Sequence, residues 1–275
     1  MPISIPDTLT ADNSEKYIVS IRLRSDGLSF SGYVPSVGES FFYGETEFDR
    51  SVPFVSSLKE LFFGHEFFTW SFKKVQVVEV SSDYTFVPEP LFDEERKDEL
   101  FRFNSSSTDK HCLTTALKEG EGRLAFGLSE EIYQFCSRTL VRADFIHHVA
   151  PQLWLWKKQS QASTGRQMFV VLHRRILDIA CYDQGKLLFV NSFPADQPED
   201  ALYYILHVWR QVGFDQWQDA LYIYGNSQRR TKIITLLRTY IHHLHTLQIP
   251  SEAYLMGTGV FQASFDLIAL LLCEL

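Results

Sequence analysis

The sequence has no closely spaced cysteine pair and no long apolar run, and we expect no secretion signal. Its four cysteines are far apart, which argues against a zinc site and a disulfide framework; they are Cys112, Cys136, Cys181 and Cys273. Residues 1–16 are polar, and they do not contain a basic region followed by an apolar core. The longest apolar run, residues 267–273, is far shorter than the roughly 20 residues that span a bilayer. We therefore expect a cytoplasmic protein without membrane insertion.

Basic residues are not in excess either. The formal net charge is −8, and the paired basic residues are scattered, at positions 157–158, 174–175 and 229–230. Binding to a polyanion needs a concentrated basic face, because the release of counterions supplies much of the affinity. We expect no nucleic-acid partner.

Motifs that carry known chemistry are also missing. The chain has no nucleophile elbow, Walker loop, zinc-protease helix or paired-glycine dinucleotide motif. Of His242, His243 and His245, strand alternation places only the last two on one face. Two histidines without a third ligand nearby are a weak metal signal, and His147–His148 divides between two faces. The sequence thus assigns no catalytic residue and no metal site.

Apolar residues, in contrast, are abundant. Hydrophobic residues make up 45% of the 275 residues, and 23 residues are phenylalanine. This composition is typical of a folded globular protein, and the length suits one large domain or two ordinary ones.

The clearest pattern lies between residues 168 and 240. Short β-prone runs alternate with turns, and Gly185 stands where a hairpin needs a positive φ. Apolar residues then recur at helical spacing after Pro198 and stop at Gly213. We predict three strands, a helix, a strand and a helix, over residues 168–172, 176–182, 186–193, 198–212, 221–224 and 227–241.

The N-terminal half repeats this order. Strands are predicted at residues 17–23, 28–34, 40–48 and 74–80, with a helix at 55–63 before the last of them. A repeated order of elements at long period suggests a duplicated α/β domain.

The segment between the two copies is less regular. We predict a solvated helix or loop at 93–99, a loop at 104–108, and then strand, helix, strand and helix at 123–128, 129–140, 145–149 and 153–158. The polar residues 159–165 are the candidate link between the halves. The sequence therefore divides into a first half, 1–160, with an insertion at about 90–160, and a second half, 161–275.

Two hairpins and one turn carry a resemblance to a known fold. The sequences SIRLRSDGLSFSGY and VLHRRILDIACYDQGKLLFVNSFP resemble the two phosphate hairpins of the actin-like ATPase superfamily. The sequence LYIYGN resembles the strand and turn before the adenosine helix of that fold. The whole chain is similar to an uncharacterised family of Bacteroidota proteins with a degenerate form of this fold. The resemblance implies two RNase-H-like βββαβα halves that face a cleft.

The chain departs from active members of the superfamily at all three of these places. The resemblance implies an aspartate at the end of the first strand, where this chain has Arg22, followed by the turn 24–27. Asp26 is the one carboxylate that can stand in, although an aspartate here also suits a turn. The second phosphate loop is His173-Arg174-Arg175 and has no glycine that would let a phosphate approach the backbone. An RNase-H-type nuclease shares this half-fold, but it needs clustered carboxylates on the strands, which Arg22 and His173 do not supply. The resemblance also implies paired glycines at the adenosine turn, where only Gly225-Asn226 remains. These three departures predict that Mg²⁺-ATP is not hydrolysed and that no cofactor is bound.

The arginines and neighbouring turn residues leave a second interpretation open. The resemblance places both hairpins at the cleft, where guanidinium groups can hold a phosphate or carboxylate without a metal. The alternative is that they are exposed turn arginines that form salt bridges with acidic side chains. The candidate anion-binding residues are Arg22, Arg24, Asp26, Gly27, His173, Arg174, Arg175, Gly225 and Asn226.

The functional expectation follows from these departures. We expect a non-catalytic binding or scaffold protein that acts through an unknown protein partner. The alternative is an ATP-binding phosphotransferase or ATPase with unusual cleft residues. The apolar C-terminal segment, residues 257–275, is expected to pack on its own chain, with a return to the first half as one option, or on a partner.

Overall fold

A computed structural model of the protein describes residues 5–105 and 109–274. Part of the predicted loop 104–108 lies outside these residues. By its contacts the chain divides into two compact units. The first contains residues 1–150, 250–263 and 270–275, and the second contains residues 151–249 and 264–269. The boundary in the middle of the chain therefore lies about ten residues before the division placed at residue 160 from the sequence.

The elements of the first part of the chain alternate between strands and helices. In order they are β1 (Ile18–Arg24), β2 (Gly27–Tyr33), β3 (Phe42–Glu47), α1 (Phe54–Gly64), β4 (Lys74–Glu79), β5 (Tyr84–Pro88), α2 (Lys97–Arg102), β6 (Lys110–Ala116), β7 (Gly122–Ser129), α3 (Glu130–Thr139), β8 (Ala143–His147) and α4 (Val149–Gln161). Short 3₁₀ helices occur at Ala11–Lys16, Glu66–Thr69, Glu89–Leu91, Glu94–Arg96 and Lys118–Gly120.

The second part of the chain has the order predicted from the sequence. Its elements are β9 (Arg166–Leu172), β10 (Ile176–Asp183), β11 (Lys186–Pro194), α5 (Pro198–Val212), β12 (Ala220–Gly225), α6 (Ser227–Leu237), β13 (His243–Thr246), α7 (Ser251–Tyr254), the 3₁₀ helix Thr258–Phe261 and α8 (Phe265–Glu274). None of the helices in the described ranges is both long and apolar enough to span a membrane.

The two units contain sheets of the same topology. In the first, the order is β3-β2-β1-β4-β8, with β1 antiparallel to β2 and parallel to β4. In the second, the order is β11-β10-β9-β12-β13, with β9 antiparallel to β10 and parallel to β12. A third sheet, β5-β7-β6, belongs to the first unit. The predicted duplicated α/β architecture is confirmed.

Some boundaries differ from the prediction. The strand predicted at 145–149 ends at His147, because residue 149 already begins α4. This helix continues into the predicted link 159–165 as far as Gln161. Ser160 is fully buried and its hydroxyl oxygen accepts a hydrogen bond from the N–H of Gly185 at 3.1 Å, so a polar residue is used for packing. Strands β5 and β6 were not predicted, since their residues lack a clear alternation.

Each of the two five-stranded sheets has one apolar face that packs on helices. In the first unit this face includes Val19, Ile21, Phe30 and Val77, which join one core. The opposite face is polar yet buried, and Ser20 Oγ donates to Gln76 Oε1 at 3.0 Å. Buried polar groups cost free energy unless they are hydrogen-bonded, so this face depends on such pairs.

The four cysteines are buried thiols that form no disulfide with one another. Burial raises the pKa of Cys112 to about 11 and that of Cys136 to about 12. A protonated thiol is a poor nucleophile and a poor metal ligand, so the cysteines serve as packing residues.

Candidate functional site

The turn between β1 and β2 is closed by ion pairs. Arg24 Nε lies 3.3 Å from Asp26 Oδ1, and Arg24 Nη1 lies 2.9 Å from Glu45 Oε2 on β3. Arg24 Nη2 also donates to the carbonyl of Thr46 at 3.4 Å. Asp26, the one carboxylate that the sequence offers for a metal in this turn, thus lies against a guanidinium. These contacts agree with the interpretation of Arg24 as a turn arginine that is paired with acidic side chains.

Gly27 is required by the close approach of β3. Its φ is 151°, and a Cβ atom at this position would lie 2.2 Å from the carbonyl oxygen of Thr46. Only glycine fits here without moving the backbone of the neighbouring strand. The space beside this glycine is filled by the protein's own backbone.

Arg22 does not lie in the turn. It is 3% exposed in the middle of the hairpin and pairs with Ser29 in the β1–β2 register. Its charge lowers the pKa of Tyr43, but burial and the hydrogen bond and charge of Glu45 outweigh this and raise the pKa well above the usual value. The interpretation of Arg22 as an exposed turn arginine is wrong, because the strand carries it into the buried polar face.

The turn between β9 and β10 leads to a buried carboxylate. His173 N donates to the carbonyl of Ile176 at 3.0 Å, which closes the turn. His173 Nε2 lies 2.6 Å from Asp178 Oδ2, and Gln152 Nε2 donates to the same oxygen at 3.0 Å. Ser192 Oγ donates to Asp178 Oδ1 at 2.6 Å. Asp178 is 1% exposed and organises the polar face of the second sheet.

Sequence reasoning missed Asp178. The signal was present, since a charged residue interrupts the otherwise apolar strand at 176–182, five residues after His173. A fully buried aspartate is uncommon unless hydrogen-bond donors surround it.

Arg229, on α6, stabilises the same turn. Its guanidinium donates to the carbonyls of His173 at 2.7 Å and Arg174 at 2.9 Å, and also to the carbonyl of Ala195. Burial lowers the pKa of this guanidinium, while the charges of Asp196 and Asp200 raise it. Arg229 was also missed, although a cation in the first turn of a helix is unfavourable to the helix dipole and so signals another partner.

The remaining predicted residues of the second unit lie around Arg229. Asn226 is the N-cap of α6, and its Oδ1 accepts from the N–H groups of Gln228 and Arg229 at 3.1 and 3.4 Å. Gly225 has a φ of 137°, and a Cβ there would lie 2.7 Å from the carbonyl oxygen of Leu172. Arg175 Nε lies 3.0 Å from Asp196 Oδ1, and both side chains are about half exposed.

The predicted site residues therefore form two separate groups in the structure. One is the hairpin of β1 and β2 in the first unit, and the other is the β9–β10 turn with the start of α6 in the second unit. A single anion site formed by arginines of both hairpins remains a prediction. Within the histidine run, β13 begins at His243, whose Nε2 bonds to the Trp217 carbonyl at 2.9 Å.

A group that can exchange a proton near neutral pH lies at the end of β4. Burial raises the pKa of Glu79 to about 7; the charges of Lys110 and His148 oppose this, and that of Asp83 adds to it. Lys110 Nζ and Asp83 Oδ2 are 2.6 Å apart. The carboxyl ends of parallel strands are common positions for ligand sites in α/β folds. Glu79 keeps part of its surface in solvent.

We expect Glu79→Gln to remove a pH dependence of stability. The folded protein keeps the proton that the unfolded chain releases near 4.5, so wild-type stability falls as pH rises from about 4.5 to about 7. The variant, relative to wild type, gains about 1–2 kcal/mol in unfolding free energy between about pH 5 and pH 8. Urea unfolding measures this, with the exposed Glu60→Gln as control; equal pH profiles for all three proteins would contradict the shift.

Comparisons with known proteins agree with this geometry. A structure from Bacteroides thetaiotaomicron, a protein with actin-like ATPase fold and unknown function, matches with a TM-score of 0.86 and 29% identity. The match covers 97% of this chain and 100% of that chain. The PilM-PilN type IV pilus biogenesis complex matches with a TM-score of 0.52 and 10% identity, over 92% and 94% of the two chains. No curated protein matches the chain.

The structural matches and the duplicated sheets show that the protein has the actin-like ATPase fold. The family model described as "Protein of unknown function (DUF3822)" matches residues 6–244. The match covers most of the chain, and the chain belongs to this family.

Proposed function

We propose that the protein is a non-catalytic binding or scaffold protein on an actin-like ATPase fold whose nucleotide site has degenerated. The observation that carries this proposal is that a side chain of the protein itself fills the hydrogen-bonding groups of the β9–β10 turn. Arg229 donates to the carbonyls of His173 and Arg174, so the turn is held by the protein's own cation. In a phosphate-binding loop, backbone N–H groups and glycines face the anion instead.

The first hairpin supports the same proposal. Catalysis of phosphoryl transfer with a metal needs a carboxylate that is available to Mg²⁺. Asp26 lies beside Arg24, and Glu45 accepts from both Arg24 and Tyr43, at 2.9 and 2.8 Å. These carboxylates are already used in side-chain pairs, which disfavours a metal at this hairpin.

Location and partner class follow from the same reasoning. The net charge of −8 and scattered basic residues disfavour nucleic acid. PilM, whose fold is similar, occurs in a complex with PilN, which supports action through a protein partner. We propose a cytoplasmic protein with a protein partner.

One observation favours the alternative of an ATP-binding phosphotransferase or ATPase. Glu79, with a pKa of about 7, lies at the carboxyl end of β4. A carboxyl group that titrates near neutral pH is able to act as a general base. The alternative would still require Mg²⁺ and nucleotide to bind, so binding is the quantity to measure.

The proposal is tested by calorimetric titration with ATP, with and without Mg²⁺. We expect no heat of binding for wild type in either condition. Heat that is independent of Mg²⁺ and lost in an Arg174→Ala/Arg175→Ala variant would show an arginine-lined anion site. Micromolar binding that requires Mg²⁺ would overturn the proposal and favour the enzyme.

A further inference from the structure

An exposed apolar surface lies in the first unit. It consists of four side chains that are 41–71% exposed: Val37, Tyr254, Leu255 and Phe261. We call these residues the 254 surface. The rings of Tyr254 and Phe261 stack, with centroids 5.1 Å apart and planes 22° apart.

The 254 surface is built on paired backbone segments. The N–H of Glu39 donates to the carbonyl of Leu255 at 3.0 Å, and the N–H of Phe41 donates to the carbonyl of Met256 at 2.9 Å. These bonds join the β2–β3 connection to the segment after α7. The apolar side chains are therefore presented by hydrogen-bonded backbone.

Close packing holds the two segments together. Gly257 has a φ of 117°, and a Cβ there would lie 3.3 Å from Glu39 Cα. A Cβ on Gly38 would lie 3.1 Å from the carbonyl oxygen of Leu255. Between the exposed residues, Ala253 and Val260 are fully buried and anchor the segment. A preorganised surface of this kind loses little entropy on binding.

The two segments that carry this surface contain carboxylates but no lysine or arginine. Residues 25–49 and 239–275, which include both of its segments, contain no lysine or arginine. Glu39 and Glu252, which belong to these segments, are exposed. An apolar centre with an acidic rim attracts a partner whose apolar side chains are flanked by cations.

Other exposed aromatic residues have different surroundings. Phe63 lies against Phe135, over which Lys59 Nζ lies 6.0 Å from the ring centroid. Phe103, 88% exposed, follows Arg102 at the end of α2. Single exposed apolar residues of this kind are ordinary and need no partner.

We propose that the 254 surface binds a segment of a protein partner in which apolar side chains are flanked by lysine or arginine. The proposal rests on the proposed binding function and names its partner class. A second copy of this chain is disfavoured as occupant, because a two-fold contact would bring the same acidic rims together.

The test uses two fluorescent peptides with the same central run of leucine and phenylalanine. One has lysine at both ends and the other has glutamate. We expect the full chain to bind the lysine peptide only, more weakly as salt rises. The Leu255→Ser/Phe261→Ser variant is expected to lose at least ~10-fold in affinity, since exposed anchors of this type dominate binding.

Matched controls separate a specific surface from general adhesion. Phe63→Ser/Phe103→Ser removes two equally exposed rings elsewhere, and we expect its affinity to equal that of wild type. Equal binding of both peptides, or equal binding by both variants, would overturn the proposal. A wild-type dimer that disappears in Leu255→Ser/Phe261→Ser would overturn it in favour of a second copy. The ATP titration is independent of these outcomes, so failure of this proposal and of the proposed function are distinguishable.

Discussion

Replacing Asp178 with alanine is expected to cost about 3–5 kcal/mol of unfolding free energy. The carboxylate accepts hydrogen bonds from Gln152 and Ser192 and lies 2.6 Å from His173 Nε2. It is 1% exposed, so water does not replace the acceptor when it is removed. Three buried groups would then lack their common partner, and a cavity would remain. Urea unfolding followed by circular dichroism measures the loss.

Asp183 on the same strand provides the matched control. It is partly exposed at the end of β10, and we expect Asp183→Ala to change stability by about 1 kcal/mol or less. Asp178→Asn keeps the shape of the side chain but exchanges one acceptor for a donor. Its loss of unfolding free energy should therefore lie between those of Asp178→Ala and Asp183→Ala. A loss for Asp178→Ala as small as that for Asp183→Ala would show that the buried carboxylate does not organise this face.

Replacing Arg229 with alanine is expected to cost about 2–4 kcal/mol and to loosen the β9–β10 turn. One guanidinium donates to the carbonyls of His173, Arg174 and Ala195. Without it, these carbonyls must find water, and the start of α6 is released from the turn. We expect hydrogen exchange at residues 173–176 to become faster, which mass spectrometry measures.

Two variants define what Arg229 contributes. Arg229→Lys keeps the charge but replaces a planar group with five donors by a compact ammonium, so it should recover only part of the stability. Arg230→Ala removes a single bond of 3.2 Å to the Gly225 carbonyl and should cost about 1 kcal/mol or less. Unchanged exchange at residues 173–176 in Arg229→Ala would contradict the claim that this side chain closes the turn.

The sequence predicts the fold better than the site for a physical reason. Strands and helices follow from local periodicity, and residues 168–237 show this clearly because each apolar run ends at a turn residue. Strands β5 and β6 lack such a pattern, since mixed polar side chains such as Thr114 and Thr115 lie in a sheet of three short strands. The resemblance of the hairpins supplies the topology that periodicity cannot give.

Site residues depend on contacts between positions that are distant in sequence. Arg24 and Asp26 are neighbours, but Glu45 reaches them only through the register of β2 and β3. Arg229 is 56 positions from His173, and nothing in the local pattern indicates this bond. Arg22 lies in the strand predicted at 17–23, but its burial depends on what covers that face of the sheet, which the local pattern does not show.

In the proposed function, the protein's own side chains close the nucleotide site of this actin-like fold. Calorimetric titration of the wild-type chain with ATP and Mg²⁺ tests it most directly. The structure predicts no heat of binding, because Arg229 occupies the β9–β10 turn and Arg24 occupies the β1–β2 turn. Micromolar binding that disappears when Mg²⁺ is removed would contradict the claim.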